Sequence, residues 1–155
     1  GEAGESGDGG LAIDAQIGEE ALVGPFCYLR PGTVLGPRSK AGTFVEIKKS
    51  RIGEETKVPH LSYIGDAEIG EGTNIGAGTI TANFPHRPGQ PKGKTTIGDN
   101  VRVAVDTMLV APVTVGDDAW TAAGAVITDD VPDNALAGFA PRQVNKEGRG
   151  GKRDD

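Results

Sequence analysis

The chain has 155 residues, 25 of them glycine and 10 proline, with 5% aromatic residues and a formal net charge of -6. That balance speaks against a helix bundle and for many short strands joined by tight turns. The acidic total gives no footing on nucleic acid or a membrane surface, and one cysteine, Cys27, with no Cys/His cluster, excludes a disulfide framework or zinc site. With no signal peptide and no apolar run of membrane-span length, a soluble, cytoplasmic, single-domain protein is expected.

The first segment, GEAGESGDGG (1–10), is rich in glycine and acids and reads as disordered; KEGRGGKRDD (146–155) reads as a solvated tail. Between them, over 11–145, a six-residue period governs the chain. Aliphatic residues stand at Ile17, Val23, Leu29, Leu35, Ala41 and Ile47, then after a five-residue step at Ile52, Val58 and Ile64. A second short step leads to Ile69 and Ile75. After an interruption the series resumes at Ile97, Val103, Leu109, Val115, Thr121 and Ile127, with Thr121 its polar member. Four residues after each position stands a small or β-branched residue, such as Cys27, Thr33, Ser39 or Val45. Arg51 and Glu68 break that rule, both at the five-residue steps. A period of six with one large and one small inward residue does not fit a helix of 3.6 residues per turn. It fits short strands closing a triangular coil, stacked about 4.8 Å apart so that each backbone group finds a partner above or below. The fold expected is all-β, a parallel β-helix of hexapeptides, with Cys27 in the core.

The residue after each aliphatic is usually glycine; only Arg30 and Lys48 are charged there, and they are one full coil apart. Two such charges about 5 Å apart repel by about 3 kcal/mol at an effective dielectric near 20. Either they form a solvated pair partly neutralised by Glu46, or the corner is an anion site, for which a phosphate fits. In KVPHLSY (57–63), Val58 and Ser62 take the inward slots, so His60 and Tyr63 point outward, with Tyr63 over Glu46. Asn74 lies one coil beyond Lys57. A neutral imidazole in this setting can accept a proton from an attacking amine. These residues are expected to converge on one corner, beside an extruded loop at 81–96 whose TANFPHRPGQPKGK stretch carries Arg87, Lys92 and Lys94. His86, between two prolines, reads as solvated.

VGPFCYLRPGTVLG, AGTFVEIKKSRIG, KVPHLSYIGDAEIGEGTNIGAGTITAN and LVAPVTVGDDAWTAAGAVITDDVPDNALA resemble the acetyltransferase domain of the bacterial bifunctional glucosamine-1-phosphate N-acetyltransferase / N-acetylglucosamine-1-phosphate uridylyltransferase. The likeness runs from about Ile17 to Lys146. It implies a left-handed β-helix and a homotrimer with active sites between subunits. It also implies a uridylyltransferase domain that is absent from this sequence. His60 resembles the general base, Arg30, Lys48 and Lys92 the phosphate ligands, and Tyr63 and Asn74 the sugar-positioning residues. Ala77, Asn83, Phe84, Val105 and Ala123 resemble the positions along acetyl-CoA, and no metal is needed for acetyl transfer.

Three departures from that pattern fall on the coenzyme side: Phe84 in NFPHRPGQP replaces a tyrosine, Val105 a serine, and Ala140 an arginine, with Arg142 nearby. Two other readings therefore stay open. One is an acyltransferase of the same fold on a different phospho- or nucleotide-sugar. The other is a non-catalytic trimerisation module of a sugar nucleotidyltransferase.

Overall fold

A hexapeptide becomes one side of a triangle because its inward aliphatic anchors a short strand and its small inward residue lets the chain bend. At nearly every corner one residue takes a positive φ, among them Phe26, Arg38, Phe44, Glu55 and Leu61. The computed structural model describes residues 4–6, 9–139 and 143–147, and no helix occurs among them. About seven coils stack into a parallel β-helix.

Three walls result. The first is a 6-stranded parallel sheet through Gln16–Ile17, Val34–Leu35, Arg51–Ile52, Ala67–Ile69, Thr95–Ile97 and Val113–Val115. The second runs through Leu22–Val23, Asn74–Ile75, Arg102–Val103, Trp120–Thr121 and Leu136–Ala137. The third runs through Gly10–Ala12, Tyr28–Leu29, Ile80–Ala82, Met108–Val110 and Val126–Ile127. Two nine-residue strands, Lys40–Lys48 and Lys57–Gly65, pass round the corner from the second wall to the third and join them into one 13-stranded sheet. Their register pairs Lys40 with Lys57, Thr43 with His60, Glu46 with Tyr63 and Lys48 with Gly65.

The core is the expected column. Leu29, Leu35, Ile47, Ile52, Val58, Ile64, Ile75, Val103 and Leu109 are buried, while Ile17, in the first coil, is half exposed. Serine and threonine suit the small slot because the hydroxyl reaches a corner carbonyl: Thr33 donates to Ile47 O at 2.9 Å and Thr79 to Gly76 O at 2.7 Å. Thr121 is tolerated because it accepts the Ala104 N–H and lies 3.0 Å from the Thr107 hydroxyl. Cys27 is buried, and burial pushes its thiol up to about 11, so it is a packing residue and not a nucleophile.

The two exceptions to the small-residue rule have a geometric cause. At the five-residue steps one residue is removed from the corner between the third and first walls. Ser50 and Ala67 then take the inward slot, at 3% and 2% exposure, and Arg51 and Glu68 turn outward as register partners. The excursion spans 83–94, narrower than the 81–96 read from the sequence, because Thr81 and Thr95 stay in the wall and are buried. Gly4–Ser6, within the segment read as disordered, pairs antiparallel with Gly10–Ala12, supplying partners to the edge of the first coil. Residues 1–3, 7–8, 140–142 and 148–155, including Ala140 and Arg142, lie outside the described residues.

Candidate active site

Arg30 and Lys48 follow buried aliphatics at the same corner, between the third and first walls. The backbone register fixes them one coil apart: Leu29 pairs with Ile47, and Arg30 N–H donates to Ile47 O at 2.8 Å. The Arg30 guanidinium folds back over the third wall, 2.9 Å from Glu46 Oε1 and 6.0 Å from the Tyr28 ring centroid. Tyr28, Glu46 and Tyr63 form one outward row there, so the guanidinium hangs over the row that contains Tyr63.

Lys48 is more enclosed, its side chain only 16% exposed, and its Nζ stands 3.7 Å from Asp66 Oδ2. Asp66 also accepts a hydrogen bond from the Asn83 side-chain amide. Asn83 is the first residue of the excursion, and its carbonyl accepts the Gly93 N–H at 2.9 Å, closing the neck of the loop. That closure returns Lys92 to the corner, beside Lys48 and 5.8 Å from the Phe84 ring centroid. Lys94 continues outward to Glu68 at 2.9 Å.

Gly65 completes the corner by being small. A Cβ there would meet the Tyr63 hydroxyl and stand 2.7 Å from Asn83 Nδ2, so both side chains lean over a bare backbone. The two amines share their protons unevenly. Lys48 is held above the usual lysine range, first by its hydrogen bond to Lys92 and then by Asp66 and Tyr63, against burial and Arg30. Lys92 is held below that range, first by the same hydrogen bond and then by the Lys48 charge, with Asp66 opposing. Three cations balanced by Glu46 and Asp66 are the elements of a site for a doubly charged oxyanion.

His60 occupies a different corner, between the second and third walls. It is three residues before Tyr63 on the strand Lys57–Gly65, with the bend at Leu61 between them. It is exposed, and among the described residues no hydrogen bond or ion pair holds its ring. Below it, one coil after another, come Ala77, Val105 and Ala123, stitched by Gly78 N–H to Leu61 O, Asp106 N–H to Ala77 O and Gly124 N–H to Val105 O. The histidine heads a narrow column of small or apolar residues.

The expectation of one convergent corner is therefore corrected. Arg30, Lys48, Tyr63 and Lys92 are together. His60 stands across the third wall from them, and Asn74 lies on the second wall, paired with Lys57 and Arg102. Of the residues read as coenzyme-side, Ala77, Val105 and Ala123 share the His60 corner, while Asn83 and Phe84 join the cations. Asp66 was not anticipated. Its only sequence signal is its place in the second five-residue step, where it takes the corner position with φ 50°.

The family description "Hexapeptide repeat of succinyl-transferase" matches residues 94–129. The chain is 57% identical over 147 residues to the bifunctional protein GlmU of Streptomyces coelicolor, covering 95% of this chain and 30% of that protein. Over residues 94–129 its repeat is of the hexapeptide kind. The chain spans about 30% of the length of the curated relatives it matches, a second being GlmU of Corynebacterium glutamicum at 56% identity. Among solved structures, PerB from Caulobacter crescentus in complex with CoA and GDP-perosamine overlays with a TM-score of 0.58 at 22% identity, over 84% of this chain and 58% of that one. At that identity the likeness concerns the hexapeptide fold alone. Among the described residues no helix is long and apolar enough to cross a membrane.

Proposed function

We propose that this chain is a cytoplasmic N-acetyltransferase that moves the acetyl group of acetyl-CoA onto the amine of glucosamine 1-phosphate. The observation carrying this reading is the corner where Arg30 and Lys48 stack and the closed loop returns Lys92 beside Lys48, on the same wall as Tyr63 and His60. The sugar phosphate displaces Glu46 and Asp66 from these cations, since a dianion offers more charge than either carboxylate. Tyr63 positions the sugar ring on the wall between, and Asn74 is a further sugar contact. The GlmU likeness over nearly the whole chain supports this acceptor, and the CoA in the PerB complex supports this donor.

In the reaction the sugar amine attacks the thioester carbonyl. Its proton passes to the His60 imidazole, the C–N bond forms, the C–S bond breaks, and the proton leaves with the coenzyme thiol. Backbone N–H groups near the column beneath His60 steady the oxyanion. The three coil spacings from His60 to Ala123 total about 14 Å, which suits an extended pantetheine arm lying over Ala77, Val105 and Ala123. The His60 and Lys48 corners are completed by neighbouring copies in a homotrimer. The support for assembly is the row Phe26, Phe44 and Leu61, all exposed at positive φ, where a bulky residue is strained.

A thiol-release assay with acetyl-CoA and glucosamine 1-phosphate tests the reading. His60→Ala should lower kcat by roughly 100- to 10,000-fold with the acceptor KM little changed. Undiminished activity in that variant would remove His60 from its role. Absence of transfer to every amino sugar would favour a non-catalytic trimerisation module. Preference for another phospho-sugar would favour the second acyltransferase reading, which the excursion with Phe84 permits.

A further inference from the structure

Four titratable side chains gather where the excursion re-enters the wall. Lys48 and Lys92 are hydrogen-bonded to each other through their amines, Asp66 Oδ2 stands 3.7 Å from Lys48 Nζ, and the Lys49 charge acts on Lys92. Lys49, Asp66 and Lys92 line one cleft of about 460 Å3, together with the buried Ser50 and Ala67 of the first wall.

A hydrogen bond between two lysine amines needs a lone pair on one of them, because an ammonium has three donors and no acceptor. Asp66 decides which amine that is. Its carboxylate lies beside Lys48, where Tyr63 also favours the proton and Arg30 opposes it. Lys92 has the Lys48 and Lys49 charges against its own proton, with Asp66 on the other side of the balance. The uncharged partner is therefore Lys92. It is exposed, so its lone pair is open to solution whenever the side chain turns from Lys48. An ordinary lysine is uncharged in only about one molecule in 2,500 at pH 7, and a neighbouring cation is one of the means by which a lysine becomes a nucleophile.

We propose that Lys92 is a self-acetylation site: with the corner empty, its Nζ attacks the thioester carbonyl of acetyl-CoA, the C–N bond forms, the C–S bond breaks, and the amine proton leaves with the coenzyme thiol. The step does not use His60, since the amine is already neutral. A sugar phosphate on the corner prevents it, because a dianion draws a proton back onto Lys92 and covers it. Acetylation removes one of the three cations, so a chain that meets acetyl-CoA without acceptor loses affinity for that acceptor. This consequence rests on the acetyltransferase reading above, whereas the modification itself needs only the acetyl thioester.

Incubation of the whole chain with acetyl-CoA at neutral pH, followed by peptide mass spectrometry, tests the proposal. Lys92 should gain acetyl groups at least about ten-fold faster than exposed Lys57, or than Lys94, which is paired with Glu68. Glucosamine 1-phosphate should suppress the modification and His60→Ala should leave it unchanged. Lys48→Met, which removes the neighbouring cation, should bring Lys92 down to the Lys57 rate, while Lys48→Arg, still charged, should keep it high. The acetylated protein should show an acceptor KM raised roughly ten-fold with the donor KM unchanged. Lys92 modified no faster than Lys57, or equally fast in the Lys48→Met protein, overturns the proposal, while thiol release with the sugar phosphate keeps the acetyltransferase reading in place. Selective modification that depends on Lys48, in a protein that transfers no acetyl group to glucosamine 1-phosphate, supports the proposal and overturns that reading.

Discussion

Lys48 and Asp66 face each other at 3.7 Å across the corner from which the loop leaves, and Asp66 is tied at the same time to Asn83. One carboxylate thus both restrains the Lys48 ammonium and anchors the loop that returns Lys92. The two roles separate by substitution. Asp66→Asn keeps a hydrogen-bonding partner for Asn83 and removes the competing charge, so the acceptor KM should fall about two- to ten-fold. Asp66→Ala loses the anchor and should raise it. Steady-state kinetics on both variants decide between these outcomes, and equal effects would mean that the anchoring role is not real.

Because Lys92 is held below the usual lysine range, it loses its proton, and with it its attraction for a dianion, at lower pH than a free lysine would. Lys48 is shifted the other way and stays charged through that window. Affinity for the sugar phosphate dianion should therefore weaken as pH rises through the lowered Lys92 value. Lys92→Arg, charged throughout, should flatten that alkaline limb in a pH profile of the acceptor KM.

Two glycines should respond differently to alanine. At Gly42 a Cβ would run into the backbone carbonyl of Pro59, which cannot yield, just before His60. Gly42→Ala should cost about 1–3 kcal/mol in denaturant unfolding. At Gly65 the obstacles are the ends of the Tyr63 and Asn83 side chains, which can swing away. Gly65→Ala should leave unfolding nearly unchanged and raise the acceptor KM.

Phe26 and Phe44 stack with centroids 6.0 Å apart, and Leu61 follows one coil on, 62% exposed. If this row lies between copies, Leu61→Asp should shift the sedimentation coefficient from trimer to monomer and abolish transfer, with the circular dichroism of the β-helix retained. A Leu61→Asp protein that remains trimeric would place the interface elsewhere.

Among the described residues Thr95 Oγ1 is buried without a hydrogen-bond partner, beside the return point of the loop. An unpaired buried hydroxyl costs about 1 kcal/mol or more, and valine has nearly the same shape. Thr95→Val should raise Tm by roughly 2–4 °C in calorimetry with activity unchanged.

The period of six made the coils legible, down to Tyr63 over Glu46 and Asn74 beside Lys57, because every inward side chain obeys one steric rule. Position around the triangle was misjudged for His60. Twelve residues separate it from Lys48, two-thirds of a coil, so counting layers alone could not bring them to the same edge. The Asp66–Asn83 bond was illegible for another reason. It depends on where an excursion of irregular backbone closes, and no repeat governs 83–94. Arg51 and Glu68 looked like errors in the period, yet they mark where a residue was removed from a corner and its neighbour took the inward place.

The excursion departs after Ala82 and returns at Lys94 with Thr81 and Thr95 still seated in the wall, each bonded to its neighbouring coil. A dozen residues of new shape are spliced in at one vertex and the rungs on either side do not register the change. Such a scaffold acts as a socket for interchangeable parts: evolution can rewrite the inserted piece without retuning the prism that carries it.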